Sequence, residues 1–405
     1  MSTAALRASL KVSRSEPGAL VTGASYRALA VVRSLGRRGV RVRVVRTDDH
    51  TIAQRSRYAA AASMWPPDEH DRVGFLLELA GREHLDGWVL IPTHDEEAAM
   101  IARHRDELAT RYRVTTPPWE TLRPAYDKRR THALAGELGL GQPWTMFPAS
   151  AADLVAAEPR LPVVIKPAFK AEANPLTTAK AWRVDDLATL EQRYVEAGRL
   201  VDPTILMVQE LVPGDGDAQL SFGALCADGT VLADITAQRT RQYPMDFGRA
   251  SSFVETIVDP SVARDARRLL RAMRFTGLVE VEFKRDARTG ANLLLDVNPR
   301  AWGWQSLCGR AGVDFPFLLW LQASGQPIPA VAPTAGVRWV RMATDVAAAA
   351  GEIRAGRLTA RDYVASLRGP LEFSVFVADD PLPALYGPVA GAHLVARRLL
   401  ERRPL

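Results

Sequence analysis

The sequence has few cysteines and no long apolar run. Only Cys226 and Cys308 occur among 405 residues, and their separation fits neither a zinc site nor a redox pair. Reduced thiols are therefore expected, which is typical of a cytoplasmic protein. The longest apolar stretch, near 315–321, is too short to span a bilayer, and basic residues interrupt the N-terminal segment where a signal peptide needs an apolar core. We predict a cytoplasmic protein without a membrane partner.

The charge balance carries no nucleic-acid signature. There are 52 basic and 46 acidic residues, a net charge of +6, but no basic stretch interleaved with aromatic residues and no helix-turn-helix pattern. We therefore expect no nucleic-acid partner, and the small positive excess is compatible with an anionic small ligand. Hydrophobic residues at 47% and charged residues at 24% are ordinary for globular domains, and the length allows two or three of them.

The sequence also lacks the continuation of a nicotinamide-binding motif. The stretch VTGAS at 21–25 lies between a predicted strand and a predicted helix, but Arg27, Ala28 and Leu29 stand where further glycines would be needed. No tyrosine is followed by a lysine four residues later. An oxidoreductase is therefore disfavoured.

The order of predicted elements divides the chain. Residues 1–17 are predicted to form a flexible arm. Residues 18–118 alternate strands and helices, as a doubly wound α/β domain does. A proline-rich connector near 118 leads to a mixed α+β region with antiparallel strands, up to about residue 330. Residues 331–405 are predicted to be a helical extension that packs on this core.

The segment 279–304, VEVEFKRDARTGANLLLDVNPRAWGW, alternates apolar and polar residues as two β-strands do. A period of two predicts that Leu293, Leu295 and Val297 share one face of the second strand. The polar face then collects Glu280, Glu282 and Lys284 from the first strand, and Leu294, Asp296, Asn298 and Arg300 from the second. If the strands pair as a hairpin, Glu282 lies near Asp296 and Asn298.

Two carboxylates and an amide carbonyl suit a hard cation. Mg²⁺, or Mn²⁺ in its place, binds through one or two carboxylates and shares its shell with nucleotide phosphates. The alternative is a half-solvated hairpin. The metal hypothesis gains from residues elsewhere in the chain: Lys128 at a helix start, Lys166 at a strand end, and VQELVPGDGD at 208–217, where a strand ends in an acidic turn.

In their order along the chain, these residues resemble the ATP-grasp superfamily. The stretch DVNPRAWG is similar to the signature of carbamoyl phosphate synthetase-like members. As a set, RSLGRRGVRV near the N-terminus, IPTHDE, DKRR, QRTRQYP and NPRAWG resemble the predicted ATP-dependent carboxylate–amine ligases related to D-aspartate ligase. The resemblance implies a pre-ATP-grasp α/β domain at 18–118 and an ATP-grasp domain at 119–330, the latter with a small ATP-binding lobe at about 145–215 and a core lobe.

The resemblance also implies roles for single residues. Lys128 and Lys166 would bind the phosphates of ATP, and backbone groups near Glu210 and Val212 would pair with adenine. Asp217 would bind the ribose, with the nearby Asp215 as the alternative. The magnesium ligands would be Glu282, Asp296 and Asn298, while Arg300 would stabilise the transferred phosphoryl group or an acyl phosphate. The sequence departs from the family in FKAEANPLTTAK at 169–180, which has no glycine for a phosphate-covering loop. Lys170, Thr177, Thr178 or Lys180 would act instead.

Further candidates concern the substrates. Arg239 and Arg241 lie two apart in a predicted strand, so both can face the cleft and bind the γ-phosphate or a substrate carboxylate; a charged strand face is the alternative. Asp95 or Glu96 would hold the amine. Tyr26, on the first glycine turn, is a further candidate for this role. Trp302 and Trp304 would shape the acceptor pocket, and burial of these tryptophans in the core is the competing interpretation.

The implied reaction is ATP-dependent ligation. ATP would activate a carboxylate as an acyl phosphate, and an amine would displace phosphate to give an amide or peptide bond, ADP and phosphate. One partner is expected to be an amino acid, with D-aspartate, another amino acid or a biosynthetic intermediate all open. The alternatives are a bicarbonate- and ammonia-using enzyme and a non-catalytic nucleotide-binding scaffold. Dimers are common in the family, so a homodimer is one expected assembly.

Overall fold

The computed structural model describes residues 16–47, 51–169, 174–214, 218–243, 245 and 250–387. Three β-sheets organise these residues, with five, four and seven strands. Most of the predicted N-terminal arm and the last residues of the C-terminal extension lie outside the described part. No helix within the described part is long and apolar enough to cross a membrane.

The first sheet is parallel and has the strand order β3-β2-β1-β4-β5. Its elements are β1 (Ala19–Thr22), α1 (Tyr26–Gly36), β2 (Val42–Arg46), β3 (Ala59–Met64), α2 (Glu69–Glu83), β4 (Val89–Ile91), α3 (Asp95–Arg103), α4 (Arg105–Leu108) and β5 (Arg113–Val114). The chain leaves β1 toward one edge and β4 toward the other, so a crevice opens beyond the carboxyl ends of these strands. The helices α1 and α3 begin at this crevice.

The second sheet is antiparallel and has the order β6-β9-β7-β8. Its region comprises α5 (Trp119–Tyr126), α6 (Lys128–Glu137), β6 (Thr145–Met146), α7 (Ala151–Ala156), β7 (Val163–Pro167), α8 (Pro175–Ala179), β8 (Trp182–Val184), α9 (Leu187–Gly198) and β9 (Leu206–Glu210). Apolar residues of β7 and β9, including Ile165 and Val208, pack with Leu190 and Tyr194 of α9. Lys166 follows the buried part of β7 and is only half-buried.

The third sheet forms the centre of the molecule and has the order β14-β13-β10-β11-β12-β15-β16. Its strands are β10 (Gln219–Ala227), β11 (Thr230–Tyr243), β12 (Ala250–Ile257), β13 (Gly277–Arg285), β14 (Asn292–Asn298), β15 (Arg338–Val340) and β16 (Leu371–Phe373). The helices of this region are α10 (Pro260–Ala272), α11 (Gln305–Arg310), α12 (Phe315–Ala323), α13 (Met342–Arg354) and α14 (Ala360–Ser366). All pairs are antiparallel except β15 with β16.

The C-terminal segment differs from the predicted helical extension. It contains α13 and α14, but β15 pairs with β12 and β16 pairs with β15, so it also completes the central sheet. It contacts the first α/β unit as well, because the buried Asp380 accepts a hydrogen bond from Arg33 Nε at 2.9 Å and from Ser56 Oγ at 2.6 Å. Short apolar strands carry too little periodicity to be told from helix in sequence.

The hairpin β13–β14 forms in the predicted register near its open end, but a bulge changes the register below it. Glu282 pairs with Asp296 and Glu280 pairs with Asn298, whereas Phe283 pairs with Leu294, so Leu295 is the extra residue. The bulge reverses the alternation, so that Leu294 is fully buried while Leu295 lines the cleft. The predicted faces of Leu294 and Leu295 were therefore wrong.

Candidate active site

A cleft with a volume of about 580 Å³ lies where the three sheets meet. Its walls carry charged residues from all three: Asp95 follows β4, Lys166 ends β7, and Glu282 and Asp296 lie on β13 and β14. Because strand ends from different sheets converge here, residues far apart in sequence share one polar cavity. Most of the residues predicted for the site line this cleft, namely Tyr26, Asp95, Lys128, Lys166, Lys180, Glu210, Val212, Arg239, Glu282, Asp296, Asn298 and Arg300.

The acidic side chains of the hairpin lie together as the sequence predicted. Glu282 and Asp296 are direct cross-strand partners, and Asn298 Nδ2 donates a hydrogen bond to Glu282 Oε1 at 2.9 Å. Each carboxylate is matched by a cation, since Asp296 Oδ1 lies 2.7 Å from Lys128 Nζ and Glu282 Oε1 lies 3.2 Å from Arg239 Nη2. Burial works against ionisation of Glu282, but Arg239 and other cations outweigh it and lower its pKa to about 2.

These side chains fit a cation that also takes ligands from a bound molecule. Two carboxylates lie side by side with an amide next to them, which is the hard oxygen set that Mg²⁺ prefers. Within the described part of the chain, no three histidine, cysteine, aspartate or glutamate side chains cluster closely enough to hold a metal ion by themselves. A metal at this place would therefore need further oxygen ligands, such as phosphates.

The two predicted phosphate-binding lysines have different environments. Burial alone would lower the pKa of Lys128, but the charge of Asp296 outweighs it and raises the pKa above its ordinary value. Lys166 instead donates to the neutral Gln209 Oε1 at 2.8 Å. Burial, followed by the nearby charge of Lys128, lowers the pKa of Lys166 to about 7. The positive charge of Lys166 is therefore easily lost until an anion binds nearby.

A hydrogen-bond chain extends from Lys166 away from the cleft. Gln209 Nε2 donates to Thr145 Oγ1 at 2.9 Å and lies 3.2 Å from His132 Nε2. His132 Nδ1 lies 2.7 Å from Gln142 Oε1, which assigns the ring proton to Nδ1 and leaves Nε2 to accept from Gln209. Burial lowers the pKa of His132, in keeping with this neutral form. The chain orients the Gln209 carbonyl toward Lys166, and single-residue patterns in the sequence gave no sign of it.

At the strand end predicted to contact adenine, only some of the backbone N–H groups are available for hydrogen bonding to a base. Glu210 N–H donates to Trp144 O at 2.8 Å, and its carboxylate pairs with Arg288 at 2.6 Å, so neither faces a ligand. Leu211 N–H donates to Pro162 O. Among the described residues, the N–H of Val212 has no hydrogen-bond partner. Backbone pairing with a base therefore falls to Val212 more than to Glu210. Asp217, the predicted ribose ligand, lies outside the described residues.

The segment predicted to replace a glycine-rich loop is described in part. Thr177 and Lys180 line the cleft, whereas Thr178 is not among its lining residues. Thr177 belongs to the capping box of α8 with Asn174, and Lys180 follows the helix with a positive φ of 71°. Lys170 lies outside the described residues.

The prediction that both strand arginines face the cleft was wrong for Arg241. Arg239 lines the cleft, but the pairing of β11 with β12 shifts register between Arg239 and Arg241. The shift turns Arg241 to the other face, where it forms a two-pronged ion pair with the fully buried Asp345 at 2.8 and 2.9 Å. The ring of Phe253 packs 4.1 Å from its guanidinium carbon. Arg241 therefore lies away from the cleft, in an ion pair inside the fold.

Arg300 connects the central sheet to the first α/β unit. Its Nε lies 3.0 Å from Asp95 Oδ1, and its Nη2 donates to Asn298 Oδ1 at 2.9 Å. Asp95 begins α3 at the crevice of the first sheet and lines the cleft. Glu96, the alternative to Asp95 as amine ligand, is not among the residues that line the cleft. Of this predicted pair, only Asp95 is placed to meet a ligand.

The aromatic residues predicted for the site lie partly in the cleft and partly in the core. Tyr26 lines the cleft, but Trp302 is fully buried and packs against Phe315 at a ring distance of 5.0 Å, so the competing interpretation, burial in the core, holds for Trp302. Trp304, the other tryptophan predicted for the pocket, lines the cleft and donates from Nε1 to Glu280 Oε1 at 2.6 Å. A turn after β14 separates these tryptophans into the two environments.

Glu280 is a site residue that the sequence predictions did not assign. It is buried beside Glu282, and Asn298 Nδ2 donates to its Oε2 at 3.1 Å. Burial, followed by the charge of Glu282, raises the pKa of Glu280 to about 7. The available signal was its position two residues before Glu282, which puts both side chains on one face of β13.

Comparison with known proteins finds this fold elsewhere. A sequence profile of a family described as ATP-grasp in the biosynthetic pathway with Ter operon matches residues 203–345. No curated protein sequence matches the chain. The L-amino acid ligase from Bacillus licheniformis superimposes with a TM-score of 0.60 at 15% identity, covering 76% of this chain and 74% of that one.

Two further solved structures are similar. The biotin carboxylase domain of Hydrogenobacter thermophilus 2-oxoglutarate carboxylase, solved with MgADP, ADP and bicarbonate, gives a TM-score of 0.63 at 14% identity, with 79% and 73% of the two chains covered. N5-carboxyaminoimidazole synthetase from Staphylococcus aureus gives 0.57 at 13% identity, with 80% and 81% covered. At these identities the likeness concerns the fold, and three enzymes with different substrates share it.

Proposed function

We propose that this chain, whose fold is the ATP-grasp fold, is an ADP-forming ligase that joins a carboxylate to an amine, with an amino acid as one substrate. The observation that carries the proposal is the meeting of Lys128 and Lys166 with Glu282 and Asp296 in one cleft. The lysines supply charge for phosphates, and the carboxylates supply oxygens for the accompanying divalent cation. Residues 18–118 would serve as the pre-ATP-grasp domain and 119–330 as the two-lobed ATP-grasp domain.

The nucleotide would lie between the second and third sheets. Val212 N–H is available to the base, and the apolar side chains of Val164 and Leu295 line the same cleft. Lys166 contacts Gln209, three residues before Val212, and Lys128 contacts Asp296 of the acidic hairpin. In this arrangement the base would lie near Val212 and the phosphates near the two lysines, with the cation at the hairpin.

The cleft residues can stabilise charge without a protein nucleophile. Bound Mg²⁺ at Glu282, Asp296 and Asn298 would neutralise phosphate charge and draw electron density from the transferred phosphorus. Arg300 and Arg239 present guanidinium groups to the same region and can bind phosphoryl or carboxylate oxygens in a two-pronged manner. Arg300 and Arg239 now pair with the carboxylates of Asp95 and Glu282. A bound anion would take the place of these carboxylates at the guanidinium groups, and a bound cation would take the place of Arg239 at Glu282.

The proposed reaction follows from leaving-group chemistry. A free carboxylate resists attack by an amine because its oxygen is a poor leaving group. Phosphoryl transfer from ATP to the carboxylate gives an acyl phosphate and ADP, and amine attack on the carbonyl then expels phosphate and forms the amide bond. The protein contributes mainly by holding the reactants together and by electrostatic stabilisation.

The test is ADP release with defined substrate pairs. ADP formation should require Mg²⁺, a carboxylate and an amine together, drawn from a panel of L- and D-amino acids. Asp296→Asn keeps the side-chain size but removes the ligand charge, and should lower the ADP-forming rate by at least about 100-fold. Asp234→Asn is the matched control, because Asp234 forms an ion pair with Arg267 at 2.6 Å outside the cleft.

The outcomes separate the alternatives. Dependence on bicarbonate, with no effect of a second carboxylate, would indicate a carboxylating or carbamoylating enzyme. Binding of MgADP without turnover on any pair would indicate a nucleotide-binding scaffold. A wild-type rate in Asp296→Asn would contradict the proposed site.

A further inference from the structure

Arg27 lines the cleft at the end that belongs to the first α/β unit. It is the second residue of α1, which begins at the crevice beyond β1. Tyr26 and Asp95, which begin α1 and α3, line the same cavity. Asp95 lies 3.0 Å from Arg300, which follows the acidic hairpin, but the side chains of Arg27, Tyr26 and Asp95 all come from helices of the first α/β unit. This end of the cleft is therefore suited to the substrate that does not carry the nucleotide.

Three arginines line the cleft, and two of them are paired with carboxylates. Arg239 lies 3.2 Å from Glu282, and Arg300 lies 3.0 Å from Asp95. Arg27 differs in forming no ion pair with any described residue, and its Nε, like that of Arg239, is buried without a hydrogen-bond partner. A buried guanidinium N–H without an acceptor is costly unless a ligand supplies one. Arg27 is thus the cleft arginine whose charge is uncompensated within the described chain.

The surroundings of Arg27 strengthen its positive potential. The first turn of α1 contains no acidic residue, and no side chain caps its N–H groups. The hydroxyl of Ser25, which precedes the helix, is buried and has no hydrogen-bond partner. Uncapped N–H groups at a helix start favour a negatively charged ligand. The helix start and Arg27 therefore favour the same kind of ligand.

The position of Arg27 is held by contacts on both sides. Gln305 Nε2 donates to Arg27 O at 3.1 Å, which ties the start of α1 to α11. The guanidinium of Arg341 packs 4.5 Å from the ring of Tyr26. Gly303 lies so close that a Cβ there would be 3.0 Å from the Tyr26 hydroxyl. These contacts give a preformed wall, which is what selective binding of a small substrate needs.

We propose that Arg27 binds the α-carboxylate of the amino-acid substrate and so makes this enzyme select free amino acids over their amides and esters. The inference rests on the proposed function and adds the residue that recognises the substrate. The group is expected to be a monoanion rather than a phosphate, because the carboxylate of Asp95 lines the same cleft and would repel a dianion. The Asp95 carboxylate can also accept a hydrogen bond from the substrate ammonium group.

The test compares each amino acid with its own α-amide. Binding of the twenty L-amino acids and D-aspartate is measured by calorimetry in the presence of MgADP, followed by the primary α-amides of those that bind. For wild type, the amide should bind about 10- to 100-fold more weakly, the size expected for one charge-assisted hydrogen-bonded pair. Arg27→Met should weaken binding of the amino acid by that factor and leave binding of its amide unchanged. The ratio of the two affinities should then fall to about 1.

Two further variants complete the comparison. Arg27→Lys keeps the charge but loses the two-pronged geometry. Its acid-to-amide affinity ratio should lie between those of wild type and Arg27→Met. Arg41→Met is the matched control, because Arg41 is exposed on the same α/β unit and does not line the cleft. It should leave the wild-type ratio intact.

Three results would overturn the inference: an equal affinity of wild type for acid and amide, a ratio that persists in Arg27→Met, or the absence of binding by every amino acid in the panel. The ligase proposal fails separately. An amino acid bound through Arg27 without ADP formation on any carboxylate–amine pair would refute ligation alone. ADP formation with an acid-to-amide preference that is independent of Arg27 would refute the inference alone.

Discussion

The two arginines of β11 should give opposite phenotypes although they lie two residues apart. Arg241 is 9% exposed and Asp345 is fully buried, so the ion pair between them is almost free of solvent screening. Removing one member of such a pair leaves a buried charge and costs about 3–5 kcal/mol. Arg241→Met also loses the packing of the guanidinium on Phe253, at 4.1 Å from its ring. We expect a loss of about 4 kcal/mol in the free energy of unfolding.

Urea unfolding measures this loss directly. With a denaturant dependence of about 2–3 kcal/mol per molar, the midpoint of Arg241→Met should fall by about 1–2 M. The double variant Arg241→Met with Asp345→Leu should recover most of the loss, because replacing both members of a buried pair by apolar groups is often neutral. The affinity of the folded Arg241→Met protein for MgADP should equal that of wild type.

The paired variant is Arg239→Met, which should weaken ligand binding in the cleft. It should change the unfolding midpoint less than Arg241→Met does, because Glu282 remains close to other cations. A reversed result would refute the assignment. If Arg241→Met kept the wild-type midpoint but lost tenfold or more in MgADP affinity, Arg241 would act in the cleft and the strand register described above would be wrong.

The remaining predictions concern the lysine side of the cleft. Because the pKa of Lys166 is about 7 and phosphates favour its charged form, MgADP binding should take up close to one proton at pH 8 and little at pH 6. The affinity for MgADP should fall as the pH rises above 7. Calorimetry in two buffers of different ionisation enthalpy measures the number of protons taken up on binding. A number that does not change between pH 6 and pH 8 would contradict the prediction. Gln209→Leu removes the acceptor of Lys166 and should weaken ADP binding about tenfold while leaving adenosine binding unchanged. Equal weakening of both ligands, measured by competition, would show that Gln209 acts on the fold and not through the lysine.

Much of the site was predictable because its chemistry follows local sequence order. Alternation with a period of two placed Glu282 across from Asp296, and the observed register bears this out. The parallel first sheet and the ATP-grasp fold were likewise predicted, because strand–helix alternation and the order of the lysines and acidic residues extend over most of the chain. In these cases the signal lies in neighbouring residues or in order along the chain.

The failed predictions share a different cause. One extra residue in a strand turns every later side chain to the opposite face, and bulges of this kind misplaced both Arg241 and Leu295. The pocket assignment of Trp302 failed because only packing distinguishes it from Trp304, two residues later. The predicted contact of the Glu210 N–H with adenine is not available, because this N–H already donates a hydrogen bond to Trp144 O.

The sequence by itself determined which chemical groups are present, the hairpin that pairs the acidic residues, and the order of elements that leads to this fold. Those properties depend on periodicity and on residues close in the chain. Only the tertiary structure decided which cations are compensated and which are not, since Arg27, Arg239, Arg241 and Arg300 differ in their partners and not in their chemistry. Charge compensation depends on distances of a few ångströms between side chains on separate strands and helices, and such distances are set by packing and bulges that no local pattern records.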